Sequence, residues 1–278
     1  MYSKLQHLYI VLLIVPVLVI LVAIFLWPIS WGVVTSFADP KSGAPTLENY
    51  AEFFLTPRLQ VILLKTVLTA FVVTAACLLV GYPLAYIFAR KAFAGKNIAL
   101  AIIMFPLMES VVVRVYELIL FLSPHGILQT SLMNIGWIDK PFFNLYSAEG
   151  VILGLTYTYL PFAVLSMIGS IQGINPAFEE SARCLGANRL QTFLRVTLPL
   201  SMPGIIAGSL LVFAISASSF ALPMMLAAQQ RFMLTVEIYL QIFYLSNWGI
   251  GFALANFLMI VVIAITILCQ YLMRRTYA

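Results

Sequence analysis

"EESARCLGANRLQTFLRVTLP", residues 179–199, packs two glutamates and three arginines into a chain with only 9% charged residues. A glycine stands in its middle and a proline at its end. Asn175-Pro176, just upstream, reads as a helix start, because asparagine caps free N–H groups and proline suits the first helical position. Ala177, Phe178, Ser181, Ala182 and Leu185 recur on one helical face, with Glu179, Glu180 and Arg183 on the other. Glu179 and Arg183 are four apart in the favourable order, a pairing worth about 0.2–0.5 kcal/mol. Gly186 fits a left-handed helix end. Asn188 is placed to cap a second helix with Leu190, Phe193, Leu194 and Thr197 on one face, and Pro199 ends or bends it. The segment 175–199 therefore reads as a helix–turn–helix, a shaped knob suited to passing motion from a partner. A hairpin that lies on a membrane surface and snorkels its arginines fits the periodicity equally.

The rest of the chain says where this knob sits. It has 278 residues, 63% of them hydrophobic, and a mean hydropathy of +1.03. Soluble domains carry roughly a quarter charged residues. So few charges cannot cover a water-facing surface, so the expectation is an all-α polytopic membrane protein, a single transmembrane domain over 1–278. The net charge of +5 does not point to nucleic acid, because the basic residues form no stripe with interleaved aromatics. Cys77, Cys184 and Cys269 are far apart and form no CxxC, so apolar filler is the better reading than disulfide or metal. His7 and His125 fall near opposite ends of the membrane, which argues against a metal site.

Charge-free runs place six spans at about 9–34, 62–89, 98–122, 149–173, 203–227 and 249–273. The first is too long for a signal peptide and lacks a small-residue cleavage site. Pro16, Pro83, Pro106, Pro161 and Pro223 inside spans predict kinks rather than ends. With the N-terminus cytoplasmic, nine of fifteen basic residues fall on the inner side: Lys4, Arg90, Lys91, Lys96, Arg183, Arg189, Arg195, Arg274 and Arg275. Lys41, Arg58, Lys140 and Arg231 fall outside. Both termini and the 175–199 knob are then cytosolic. Residues 46–57 predict a short surface helix with Thr46 as its cap, and 123–147 a long outer loop.

The third span carries an anomaly, Glu109, Arg114 and Glu117 in "FPLMESVVVRVYELIL" (105–120). A charge at mid-span costs about 2.5–3.5 kcal/mol on insertion scales. Arg114 and Glu117, three apart, are placed to pair along the helix. Two readings stand: Glu109, with Tyr116, on a translocation path that favours a cationic substrate, or a buried structural pair. In the fifth span, Ser216, Ser218 and Ser219 hydrate a pore or bond across helices, and Gly204 and Gly208 suit close helix packing.

The spacing E-S-A-x3-G-x9-V-x-L-P resembles the E-A-A-x3-G-x9-I-x-L-P signature of permease subunits of ATP-binding-cassette (ABC) importers. Glu180, Ala182, Gly186, Leu198 and Pro199 match it; Ser181 and Val196 depart mildly. "TLENY", "GYPLAY", "GLTYTYLPFAVL", "RLQTFLRVTLPLSMPGIIAG" and "NWGIGFA" resemble the polyamine-type branch, over about residues 46–260. The resemblance implies a type I importer fold in a bacterial inner membrane and a second permease subunit, more often a different one. It also implies two cytosolic ATPases carrying ATP and Mg, and an extracytoplasmic binding protein. Glu179, Glu180, Ala182, Gly186, Leu198 and Pro199 become the ATPase-coupling segment, with no catalytic residue in this chain. Glu109, Arg114, Tyr116, Glu117, Ser216 and Ser219 are the path candidates. Glu109 and Glu117 depart from that branch, which leaves the cargo open. The sequence holds no G-x-x-x-x-G-K-[ST] phosphate loop. An ion-coupled secondary transporter is the alternative, but it predicts inverted repeats, and none is visible between the halves. A membrane-embedded enzyme lacks a nucleophile–base constellation.

Overall fold

The computed structural model describes residues 12, 14–39, 43–227 and 232–277, the last five without side chains. Lys4, His7, Lys41, Arg231, the start of the first span and the side chains of Arg274 and Arg275 lie outside what it describes. Among the described residues the chain is helical, with no strand beyond an isolated bridge between Ala38 and Pro45.

The helices run in order: α1 (Ile14–Ser36), α2 (Glu48–Leu55), α3 (Pro57–Arg90), α4 (Lys96–Met104), α5 (Val111–Leu122), α6 (Ile127–Asn134), α7 (Ala148–Gln172), α8 (Pro176–Cys184), α9 (Arg189–Leu200), α10 (Met202–Ala217), α11 (Ala221–Ala227), α12 (Leu234–Tyr244) and α13 (Trp248–Tyr277). Ile14–Ser36, Pro57–Arg90, Val111–Asn134, Ala148–Gln172 and Trp248–Leu272 are long and apolar enough to cross a bilayer. The pair α9 and α10, bent by 63° at Ser201, passes the same test only when the two are taken together as one broken span.

Three expectations need correction. The third span is not one helix from 98 to 122. α4 closes in a 3₁₀ turn at Phe105–Leu107, and α5 starts at Val111. Pro106 supplies no N–H to a continuing ladder, and Ser110 caps the new helix by accepting from Val113 N at 3.3 Å. The fifth span also breaks, at Ser218–Phe220, because Pro223 cannot continue α10. Pro83 and Pro161, in contrast, sit inside unbroken α3 and α7. Finally, 123–147 is not all loop, since it contains α6. The buried Gln129 of α6 donates to Leu122 O (2.9 Å) and Phe143 O (2.8 Å) and accepts from Phe142 N (3.0 Å). One side chain thereby satisfies backbone groups that have no helical partner. The short helix near 46–57 forms as α2, and Thr46 Oγ1 accepts from Glu48 N at 3.1 Å.

The chain divides into two compact units. One ends at Gln60 and takes in Glu237–Leu258. Its polar centre joins α1, α2 and α13: Ser36 Oγ and Tyr50 Oη lie 2.8 Å apart, and Asn256 Nδ2 donates to Ser36 Oγ at 3.1 Å. Phe53 stacks on Phe257 at 4.3 Å between centroids, and Arg58 pairs with the buried Glu237 at 2.7 Å.

The other unit, Val61–Val236 with Met259–Ala278, holds the larger core. Val73, Cys77, Val115, Leu155, Met167, Val212, Leu222 and Met233 close it from α3, α5, α7, α10, α11 and the residue just before α12. α7 and α10 approach closely because Gly204 and Gly208 carry no Cβ. A Cβ on Gly204 would stand 2.4 Å from Ser170 Cβ and 2.9 Å from Ser166 O. The space is filled instead by hydrogen bonds from Ser166 Oγ to Gly204 O (3.1 Å) and from Gly204 N to Ser170 Oγ (3.2 Å).

Candidate functional site

The hairpin α8–α9 forms as its capping residues dictate. Asn175 Oδ1 accepts from Ala177 N at 3.0 Å ahead of Pro176. α8 ends in a left-handed Gly186 at φ +89°. Gly186 N donates to Arg183 O (3.0 Å) and Ala187 N to Ala182 O (3.1 Å), the paired bonds of a Schellman closure. Asn188 and Gln191 then form a reciprocal capping box at the start of α9. The turn angle is thus fixed locally, without help from the core.

The hairpin exposes residues of both periodic faces, Glu180 and Arg183 as well as apolar ones. Phe178 is 57% exposed, Leu185 89% and Leu190 66%, whereas Glu179 is only 7% exposed. Glu179 does not pair with Arg183. Its Oε1 lies 3.0 Å from Arg90 Nη2 at the end of α3 and accepts from Thr197 Oγ1 at 3.0 Å. Arg90 Nη1 donates to Ile174 O at 3.0 Å. Charge therefore anchors the hairpin to its frame, and apolar side chains project outward. Glu180 stays exposed and forms no ion pair among the described residues. Leu198 packs against the core, and Pro199 precedes the bend. At that bend Tyr82 Oη and Ser201 Oγ lie 2.8 Å apart. Arg90, Thr197, Tyr82 and Ser201 were missed as site residues. They act through contacts distant in sequence, and Arg90 registered only as a topology charge.

A cleft of about 530 Å³ opens where α4–α5 and α10–α11 both break. Glu109, Arg114, Thr158, Tyr159, Ser218 and Ser219 line it. The Arg114 guanidinium donates to Pro106 O and to Glu109 O (3.1 Å), capping the carbonyl end of α4. It forms no ion pair with Glu117. Glu109 Oε2, Arg114 Nε, Thr158 Oγ1 and the buried Ser216 Oγ have no hydrogen-bond partner among the described residues. Of the path candidates, Glu109, Arg114 and Ser219 share this cleft. Glu117 lines a neighbouring groove with Tyr157, Tyr116 is 62% exposed, and Ser216 is buried without lining the cleft.

Apolar helices that break around a shared cleft, with a capped hairpin between unbroken α7 and α10, define a polytopic helical membrane protein. The chain belongs to the family described as "Binding-protein-dependent transport system inner membrane component", whose model matches residues 4–277. It is 35% identical over 216 residues to the spermidine/putrescine transport system permease protein PotB of Escherichia coli, covering 78% of each chain. It is 32% identical over 246 residues to a probable molybdenum ABC transporter permease of Haloferax volcanii, covering 88% of this chain and 83% of that one. The fold is similar to that of a bacterial ABC transporter for alginate, with a TM-score of 0.79 at 20% identity, covering 99% and 98% of the two chains. It is also similar to the MetNI methionine transporter, with a TM-score of 0.55 at 17% identity, covering 80% and 96%. The chain is a multi-pass inner-membrane permease subunit of a binding-protein-dependent ABC importer.

Proposed function

We propose that α8–α9 is the handle by which a separate ATPase works this permease, and that the broken-helix cleft lies on the path of a cationic solute. The carrying observation is the set of exposed apolar side chains on the hairpin. Exposing Phe178, Leu185 and Leu190 at a capped, rigid turn is unfavourable in water and calls for an apolar groove on a partner. The buried Glu179–Arg90 pair ties that handle to α3, and the Ser201 bend ties it to α10, so displacement of the hairpin moves both. Both termini and the handle are cytosolic in this reading. ATP and Mg are held by the ATPase, a second permease subunit completes the path, and an extracytoplasmic binding protein delivers the cargo. The alginate transporter solved with a substrate-loaded periplasmic protein supports that last assignment.

The cargo follows from charge. Arg114 donates to helix-end carbonyls and keeps its charge, with Nε unpartnered, and Glu109 Oε2 is the unpartnered acidic atom beside it. A polyamine, the cargo in the name of the relative PotB, is the solute whose amines the Glu109 carboxylate would meet. Uptake into proteoliposomes holding the permease pair, with the ATPase added or omitted, tests the reading. Polyamine uptake that requires both ATPase and ATP is expected. Uptake driven by a proton gradient without the ATPase overturns it.

A further inference from the structure

A second cleft, of about 840 Å³, lies between the end of α3 and the hairpin. It is distinct from the cleft of broken helices and shares Leu190 with the exposed apolar side of the handle. Its rim carries Arg90, Lys91, Arg183 and Arg189 against a single acid, Glu179. Glu179 is already engaged by Arg90 and Thr197. Among the described residues, Lys91, Arg183 and Arg189 form no ion pair, and all three are exposed. Arg90 Nε has no acceptor, and Nη2 meets Glu179 Oε1 as a charge contact without hydrogen-bond geometry. The floor is apolar: Tyr86 and Phe193 meet edge to face at 5.8 Å, beside Leu190.

We propose that this cleft holds the phosphate of an anionic phospholipid headgroup from the inner leaflet. Unpaired cations above an apolar floor, at the end of a membrane helix, match a headgroup whose glycerol and acyl chains continue into hydrocarbon. A free phosphate satisfies the rim but leaves the floor bare. The proposal rests on the cytosolic placement of the hairpin given above. Bound there, the lipid bridges the end of α3 and both hairpin helices, bracing the handle beside its exposed Leu190.

The test uses the assembled transporter, delipidated in mild detergent and titrated with dioctanoyl phosphatidylglycerol under native mass spectrometry. Dioctanoyl phosphatidylcholine and inorganic phosphate form the comparison arms. Wild type is expected to retain phosphatidylglycerol, and the variant Arg183→Gln/Arg189→Gln to bind it roughly 25-fold more weakly, about fivefold for each surface charge removed. Both arginines are exposed, so folding is preserved, and an unchanged melting temperature checks this. Equal binding of phosphatidylcholine, unchanged binding by the double variant, or displacement by inorganic phosphate at matching concentration each overturns the proposal. The assay needs no ATP and no transport, so failure of lipid binding leaves the ATPase reading standing, and failure of ATP-driven uptake leaves this one standing.

Discussion

Arg90 Nη2 lies 3.0 Å from Glu179 Oε1, and this contact joins the end of α3 to the first helix of the hairpin. Both side chains are largely buried, at 13% and 9% exposure. Removing one partner of a buried pair strands the other and costs about 3–5 kcal/mol, whereas removing both costs less. Glu179→Ala and Arg90→Ala are therefore each expected to lower the melting temperature of the purified protein sharply. The double variant is expected to lose less than the sum. Additive losses across that cycle indicate that the contact carries no coupling.

The hairpin was largely legible in sequence, because its determinants are local. Asn175, Pro176, Gly186 and Asn188 dictate caps and a turn whatever surrounds them. Its orientation was not legible, since periodicity separates faces without saying which one is buried. A charged face reads as solvated, and only Arg90, far away in the chain, reverses that for Glu179. The breaks at Met108–Ser110 and Ser218–Phe220 were hidden for a related reason. Hydropathy runs continuously across Pro106 and Pro223, so a kink and a full interruption look alike.

Gly186 holds φ +89° with nothing within 4 Å of a Cβ built there. Backbone conformation is therefore the whole of its constraint. Gly186→Val is expected to destroy the turn, since a β-branched residue is strained at positive φ, by roughly 1–3 kcal/mol. Gly186→Asn, which tolerates that region, is expected to retain most uptake. Glu180→Lys leaves the fold intact and is expected to abolish ATP-driven uptake at unchanged membrane expression. Uptake at the wild-type rate in either Gly186→Val or Glu180→Lys removes the hairpin from the coupling mechanism.

At Gly204 the constraint is space. An added Cβ meets Ser170 Cβ at 2.4 Å and the Ser166 carbonyl at 2.9 Å, and backbone oxygen cannot rotate away. Gly204→Ala is expected to cost about 1–3 kcal/mol by forcing α7 and α10 apart, with Gly204→Leu failing to accumulate. Gly208→Ala, whose nearest contact is 3.4 Å, is expected to be tolerated. The relative melting temperatures of the two alanine variants give the comparison, and equal values contradict the packing account.

Glu109 is the acid whose Oε2 has no partner in the cleft between the broken helices. If that carboxylate draws a cation along the path, Glu109→Gln keeps the shape and removes the attraction. The expected result is a roughly five- to tenfold rise in the half-saturating polyamine concentration, equivalent to about 1–1.4 kcal/mol. Glu117→Gln, in the adjoining groove, is expected to change it less. Arg114→Gln tests the opposite role. Its guanidinium caps carbonyls of Pro106 and Glu109, so its loss is expected to lower stability more than affinity. Unchanged uptake kinetics in Glu109→Gln, with a stability loss like that of Arg114→Gln, assign both residues to holding the helix break and take Glu109 off the path.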